Sequence, residues 1–291
     1  VLDEAQLVTD RTRGINVELL LTFIRSARQR EVAPQLVLLS ATVGALNHFD
    51  EWLDITVLRS DARPVPLEVG VLDRSGVYEH LDQDGVHATR QLLAQRVHQR
   101  RDAPSSQDVI VPLVRQILSN ESAAETVIIF RNTRGSAEGC ANYLAAELGL
   151  PSAQQALAEL PSGDLSASSP RLRRALAGGT AFHTSNLSRD ERIVVERAFR
   201  SRDGGVRVLA ATTGVAAGIN TPASTVIIAE TAFRSAGEPM SVGDVRNMAG
   251  RAGRFGYRET GRAIILADTP YDRQRLFRTY LTSPADSISS S

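Results

Sequence analysis

The chain has 291 residues, 42% of them hydrophobic, and 33 basic side chains against 33 acidic ones for a formal charge of zero. That length buries one large core or two ordinary ones, and a net charge of zero excludes overall attraction as the means of holding nucleic acid, which leaves local patches to do it. All 33 of the Lys/Arg positions are arginine, so no GxxxxGK[ST] phosphate loop, whose lysine reaches a nucleotide's outer phosphates, exists within these residues.

The chain opens on a short apolar segment, Val1-Leu2, followed by Asp3-Glu4-Ala5-Gln6. Paired acids at the end of a strand can hold Mg2+ through water and orient or deprotonate an attacking water; adjacent acids are also an ordinary solvated turn. The next predicted strand, 35–41, ends on Ser40-Ala41-Thr42, small hydroxyl residues that either bridge the acids to a second domain or cap a helix. A further strand over 54–58 precedes 59–67, whose two prolines read as an extended linker between two α/β units. A parallel sheet buries both faces and needs its neighbours, so the part before Arg59 is expected to be poorly stable alone.

Beyond the linker, strands over 126–131, 206–212, 224–229 and 262–267 alternate with helices over 107–119, 136–148, 188–200, 242–250 and 272–281. This is the pattern of parallel βα units. The polar stretches 100–107 and 151–170 read as surface insertions. The single cysteine, Cys140, reads as a small buried helix residue, and the five histidines lack metal-ligand spacing. Ser188 with Glu191 forms a capping box that starts its helix. No apolar run approaches the length that spans a bilayer. The tail 284–291 is expected to be disordered.

Small residues from Thr212 through Gly218 to Asn220 let a phosphate approach backbone N–H groups, or else form a plain strand–turn–helix with glycine caps. In 247–254, Arg251 and Arg254 stand three apart on one helical face among glycines and alanines. That spacing sets two planar guanidiniums on one phosphate, and an exposed helix has no other reason to carry two destabilising glycines. Arginines between 171 and 202 read either as a local basic face for phosphates or as solvated helix charge. Phe233, within 231–241, reads either as a wedge or as part of a plain loop.

In this order the elements resemble the helicase core of the superkiller-type branch of superfamily 2. Asp3-Glu4-Ala5-Gln6 resembles its motif II, Ser40-Ala41-Thr42 motif III, and Ile129-Phe130-Arg131-Asn132-Thr133-Arg134 motif IV. Ala181-Phe182-His183 resembles motif IVa, residues 212–223 motif V, and 247–254 motif VI. Arg13-Gly14 with Glu18, Arg63-Pro64-Val65-Pro66-Leu67, and Phe255-Gly256-Tyr257 with Gly261 fit the same branch.

The resemblance implies an α/β chain of tandem RecA-like domains of the P-loop NTPase class, with parallel sheets flanked by helices. It places the back part of a truncated first domain at 1–62, a second domain at 63–283 and the tail at 284–291. It implies ATP and Mg2+ as cofactors, Asp3 contacting the ion through water, Glu4 activating the attacking water, and Gln6 coupling the nucleotide to Ser40 and Thr42. Arg251 and Arg254 would reach the γ-phosphate, Arg254 as the finger. Thr133, Arg134, His183 and Thr212 would line the groove for a nucleic-acid backbone, and Gly218, Asn220 and Asn247 would touch the nucleotide or relay its state.

Three positions depart from the family pattern: Gln6 and Asn247 stand where His and Gln are usual, and Thr184 where a second His is common. Gln6 and Asn247 still hydrogen-bond, with different geometry. The implied activity is an ATP-dependent helicase or translocase moving 3′ to 5′ on single-stranded or partly duplex nucleic acid, DNA favoured over RNA, in the cytoplasm and without a membrane partner. The competing reading is an inactive nucleic-acid-binding or interaction module that keeps the fold. The phosphate loop is expected upstream of Val1 and a winged-helix domain after Ser291, which makes the chain a fragment without ATPase activity of its own.

Overall fold

Uninterrupted aliphatic runs such as Val-Ile-Ile-Phe at 127–130 must be covered on both faces, and a parallel sheet between helices does that. The computed structural model describes residues 1–9, 14–28, 30, 35–40, 44–60, 65–93, 105–119, 125–163, 166–201, 205–215, 223–232, 237–253 and 260–284. Packing divides the chain into two compact units. One comprises Val1–Ala62, Ser241–Asn247 and Ser283–Ser291, the other Arg63–Met240 and Met248–Thr282.

In the smaller unit, α1 (Gly14–Arg28) and α2 (Phe49–Leu53) accompany a short parallel bridge between Leu2 and Leu38. Arg28 donates to the Leu53 carbonyl at 2.8 Å, and the Arg25 guanidinium lies 5.8 Å from the centre of the Trp52 ring. Ile15, Leu19, Leu20 and Phe23 of α1 and Val37 and Leu39 beside the bridge stay exposed, so this unit carries apolar faces that the described residues leave uncovered.

The larger unit is built on one sheet of eight strands: β1 (Leu67–Leu72), β2 (Val77–Leu81), β3 (His87–Gln91), β4 (Val127–Arg131), β5 (Thr180–His183), β6 (Val208–Thr212), β7 (Thr225–Ile228) and β8 (Gly261–Leu266). Their order is β3-β2-β1-β8-β7-β4-β6-β5. β1, β8, β7, β4, β6 and β5 run parallel, while β2 and β3 turn back as an antiparallel meander at one edge. Its helices are α3 (Gln107–Ser119), α4 (Arg134–Leu148), α5 (Gln154–Glu159), α6 (Ser169–Ala177), α7 (Arg189–Arg200) and α9 (Pro270–Phe277), while α8 (Val242–Ala249) lies in the smaller unit up to Asn247 and in the larger from Met248. α4 packs on β5 and β6 and against α6, and α9 packs on β1 and β2. Every residue of β4 and β7 is buried, as central parallel strands require. Cys140 is a buried residue of α4.

The expected capping box forms completely: Ser188 Oγ accepts from the Glu191 amide at 3.2 Å and Glu191 Oε2 from the Ser188 amide at 2.8 Å. Four expectations need correction. Residues 54–58 form no strand: Asp54, at φ 52°, closes α2, and Leu58 is 94% exposed, because no ladder partner stands beside this run among the described residues. Over 35–40 only the single bridge at Leu38 forms, and Ala41 lies outside the described residues. The stretch 151–170 is not a plain insertion, since it contains α5 and buries Ala153, Ala156 and Leu160. The last helix starts at Pro270 and continues from Arg278 to Thr282 as a π-helical turn.

Candidate functional site

Sheet register gathers one group of expected site residues. Arg131 at the end of β4 stands beside Thr212 at the end of β6, and His183 at the end of β5 beside Ala211, so three strands finish at one edge. Thr133 follows β4 as the N-cap of α4, its Oγ1 accepting from the Ser136 amide at 3.1 Å. Arg134 opens the helix, exposed, and reaches Asn186 Oδ1 at 3.1 Å. The turn that carries both is fixed from below by Glu230. Its carboxylate meets Arg131 Nε at 2.9 and 3.1 Å and accepts from the Asn132 amide at 3.2 Å. Asn132 in turn donates to the Ala232 carbonyl at 3.3 Å.

His183 lies beneath this edge and not on it. The residue is 4% exposed, and Nε2 meets Glu196 Oε1 at 2.9 Å. Burial lowers its pKa, outweighing the hydrogen bond and charge of Glu196, which raise it, so the neutral ring is favoured. Thr184 is fully buried and its hydroxyl has no partner among the described residues. Thr212 is half-buried and leads into a 3-10 turn, Thr213–Val215. Gly218 and Asn220 lie outside the described residues.

The arginine segment sits at the opposite edge of the same sheet. After α8, Arg251 donates its amide to the Met248 carbonyl at 3.1 Å, and its own carbonyl accepts from Ala223 at 3.0 Å. Gly253 donates to the Ala223 carbonyl at 2.8 Å, which makes Ala252 and Ala223 a parallel bridge just before β7. Gly253 has φ 96°, and a side chain on Gly261 would stand 2.4 Å from the Gly253 nitrogen, so both glycines are demanded by backbone geometry. Gly261 begins β8, which places this crossing at the N-terminal edge. The two edges are separated by the four residues of β7, roughly 13 Å at ~3.3 Å per residue. Asn247 is half-buried in the last turn of α8; Arg254 and Phe233 lie outside the described residues.

In the smaller unit, the amide of Leu2 donates to Val37 and the amide of Leu39 to Leu2, at 2.8 and 2.9 Å. This register brings Asp3 and Glu4 alongside Leu39 and Ser40 at the end of two adjacent segments, so the acids and the start of the Ser-Ala-Thr tripeptide are neighbours; Thr42 and the Gln6 side chain lie outside the described residues. Glu4 has φ 55°, a left-handed conformation that non-glycine residues adopt at a cost. Its amide donates to Asp3 Oδ1 at 2.9 Å. Asp3 is exposed, and among the described residues no cluster of three or more His, Cys, Asp or Glu gathers to hold a metal. A lone carboxylate of this kind fits Mg2+ that arrives with a nucleotide's phosphates and keeps most of its waters, not a caged resident ion. No described helix is long and apolar enough to cross a membrane.

The supports Glu230, Glu196 and Asn186 escape sequence reasoning. Their partners stand 99, 13 and 52 residues away, and an acid or amide in isolation carries no signal of such a contact.

Residues 164–256 match the helicase conserved C-terminal domain. Across 92% of its length the chain is 31% identical to the ATP-dependent DNA helicase Hel308 of Pyrococcus horikoshii and 34% identical to that of Pyrococcus abyssi, covering 34% of each. It is 32% identical over its whole length to Hel308 of Thermoplasma volcanium, covering 38% of that protein. The chain therefore spans about a third of the length of the curated relatives it matches. With the motifs in family order and this similarity along nearly all of its residues, the chain is similar to the superkiller-type branch of the superfamily 2 helicases.

Proposed function

We propose that the chain is the strand-gripping and phosphate-sensing part of an ATP-dependent DNA helicase or translocase that moves 3′ to 5′ along a single strand in the cytoplasm. The observation that carries this reading is the two-edged second unit: Thr133, Arg134 and Thr212 gather at one end of the sheet, and the arginine segment is stitched to the other. Thr133, Arg134 and Thr212 hold strand phosphates, and His183, bonded to Glu196 of α7, supports the end of β5 from beneath. Contacts to phosphate and not to bases make binding independent of sequence.

In the same reading the domain boundary falls near residue 62, and Asp3 takes Mg2+ through water while Glu4 orients the attacking water. Bound Mg2+ offsets charge on the nucleotide's outer phosphates. Gln6, Ser40 and Thr42 link that site to the strand path. Arg251 and Arg254 complete the γ-phosphate contacts, with Arg254 as the finger, and Gly218, Asn220 and Asn247 relay the nucleotide's state. The chain alone, having no lysine to reach those phosphates, binds a strand without hydrolysing ATP.

The test is strand-stimulated ATP hydrolysis by the full-length protein that contains this chain. Arg254→Ala should lower turnover by roughly a thousandfold, and Glu4→Gln should abolish it with strand binding retained. Near-normal turnover in Arg254→Ala would remove that residue from the mechanism. Strand-stimulated hydrolysis by the purified 291-residue chain would overturn its assigned inactivity.

A further inference from the structure

Two glycines inside α4, Gly135 and Gly139, have no internal explanation. Other glycines of the larger unit's strands, helices and caps differ: a side chain on Gly70, Gly178 or Gly261 would meet neighbours at 2.5, 2.5 or 2.4 Å, and Gly149 and Gly253 have positive φ, while Gly163 and Gly214 share the open space but lie outside α-helix and strand. A side chain on Gly135 or Gly139 would meet nothing within 4 Å, and both lie in regular helix. Each costs the helix about 1 kcal/mol relative to alanine. Open space above a bare helix backbone, one turn apart, is what a close-lying ligand requires.

That space is the floor of an open groove of about 310 Å³ between α4 and α6, lined by Gly135, Glu138, Gly139, Asn142, Arg171 and Arg174. From Gly135 to Asn142 it follows the helix for roughly 10 Å at ~1.5 Å per residue. Its upper end adjoins Arg134, at the edge where β4, β5 and β6 finish.

The wall is basic. Arg171 and Arg174 stand three apart on one face of α6, both exposed, and Arg174 has no ion-pair partner among the described residues. Arg171 gives Nη1 to Glu138 Oε2 at 2.8 Å, which leaves its other N–H groups to a ligand. Glu138 is 2% exposed, and its charge is already absorbed by Ser168 Oγ at 2.7 Å, Asn186 Nδ2 at 3.1 Å and Arg171. One further group of the lining favours a nucleotide over a bare anion: Asn142 Oδ1 is buried and has no donor among the described residues. A base amino or imide N–H supplies one.

We infer that this α4–α6 groove is a further binding site, taking a phosphate and its attached nucleoside from a nucleic-acid strand beyond the part gripped at Thr133, Arg134 and Thr212. The inference rests on the nucleic-acid reading of that edge and extends the strand's path down the outside of α4. Arg171 and Arg174 clamp the phosphate, and Gly135 and Gly139 let the sugar lie against the helix.

Anisotropy of a fluorescein-labelled oligothymidine, titrated with the 291-residue chain across a range of salt, tests it. Arg174→Ala should weaken binding about fivefold at low salt and lower the slope of log K against log salt by about 0.7, the value of one phosphate contact on a single strand. Gly139→Glu, whose Cβ would meet nothing within 4 Å and which suits a helix better than glycine, should do at least as much with a melting temperature no lower than wild type. Arg275→Ala, which removes an exposed arginine of α9, controls for overall charge. Wild-type binding that both groove variants reproduce overturns the groove while leaving the edge reading intact, and weakening by Arg134→Ala in that same assay confirms the separation. A wild-type chain that binds no strand at any salt overturns both.

Discussion

Replacing Gly261 by alanine tests whether the arginine segment is held by backbone contact alone. The new methyl carbon would stand 2.4 Å from the Gly253 nitrogen and 2.6 Å from both the Ala252 carbonyl carbon and the Gly253 Cα. All three are main-chain atoms, so no side chain can swing away, and ordinary contact near 3.5 Å requires a separation of about 1 Å. The two segments are tied on both sides: Gly253 to the Ala223 carbonyl at 2.8 Å, and Gly261 to the Pro66 carbonyl at 2.8 Å. Losing those two hydrogen bonds costs ~1 kcal/mol each, and overpacking adds about 1–3 kcal/mol. The expected loss is therefore about 3–5 kcal/mol, a large share of a domain's ~5–15 kcal/mol. Urea unfolding of the chain reads this directly, with Gly163→Ala as control, because that glycine is exposed and its added carbon meets nothing within 4 Å. Hydrogen exchange adds a local readout: the amides of Ala223 and Gly253 should lose protection before those of β4. A Gly261→Ala chain unfolding within about 0.5 kcal/mol of wild type, with the same denaturant slope, would refute the close-approach argument.

Acidification should act through His183 first. Its folded pKa is below the ordinary 6.5, so the stability it contributes is complete above that value and is lost as pH falls toward the lowered one; His183→Asn should flatten the stability curve in that window. Glu138 follows at lower pH. Burial raises its pKa, but hydrogen bonds from Ser168, Arg171 and Asn186 and the Arg171 charge outweigh this, so its contribution is lost only as pH falls below the ordinary glutamate value of 4.5. Glu138→Gln should remove that acid limb of the unfolding curve. Glu230→Gln should cost about 2 kcal/mol in urea unfolding, less than the roughly 3–5 kcal/mol of a fully buried pair because the Glu230 side chain is 24% exposed beside a 9% exposed Arg131. Tyr280→Phe removes a hydroxyl that donates to the Met240 carbonyl at 3.1 Å and the Thr231 carbonyl at 3.3 Å. The loss should be about 1 kcal/mol, with faster amide exchange at Met240, whose N–H closes the neck of this loop onto Thr231 at 2.8 Å.

What the sequence discloses follows from how burial writes itself into residue order. β4, β6, β7 and β8 are legible because a strand covered on both faces must be apolar throughout, and Gln107–Ser119 because one helix face carries Val109, Leu113 and Ile117. The meander of β1, β2 and β3 is not, although its turns carry a usable signal. Asp73 and Asp82 each stand three residues before a glycine of positive φ, and their carboxylates accept the amides of Ser75 and Asp84. Its strands hide because they alternate charge with apolar residues: Glu68 receives Arg90 and Arg262, and Glu79 receives Arg273 and His87. The run at 54–58 misleads for the converse reason, since Ile55 and Val57 have the composition of a strand without a neighbour to pair with. At the site, residue types and spacing announce the chemistry, while depth does not show: nothing in Ala-Phe-His separates a histidine facing a strand from one sealed against Glu196.

Placing the strand edge and the arginine edge at opposite ends of one sheet constrains how either can inform the other. The core strands β4, β6, β7 and β8 are hydrogen-bonded rung by rung and almost wholly buried, so they deform little and move as a body. In sequence, ten residues separate Thr212 at the first edge from Ala223 at the second. At the first end Thr212 is fixed in register beside Arg131, and at the second Ala223 is held by paired hydrogen bonds to Arg251 and Gly253. A displacement of the arginine segment therefore acts first on Ala223, to which it is hydrogen-bonded, and on Gly261 of β8, which its backbone abuts. Rigid strands tied to the arginine segment at Ala223 give a displacement at that edge a defined route into the sheet.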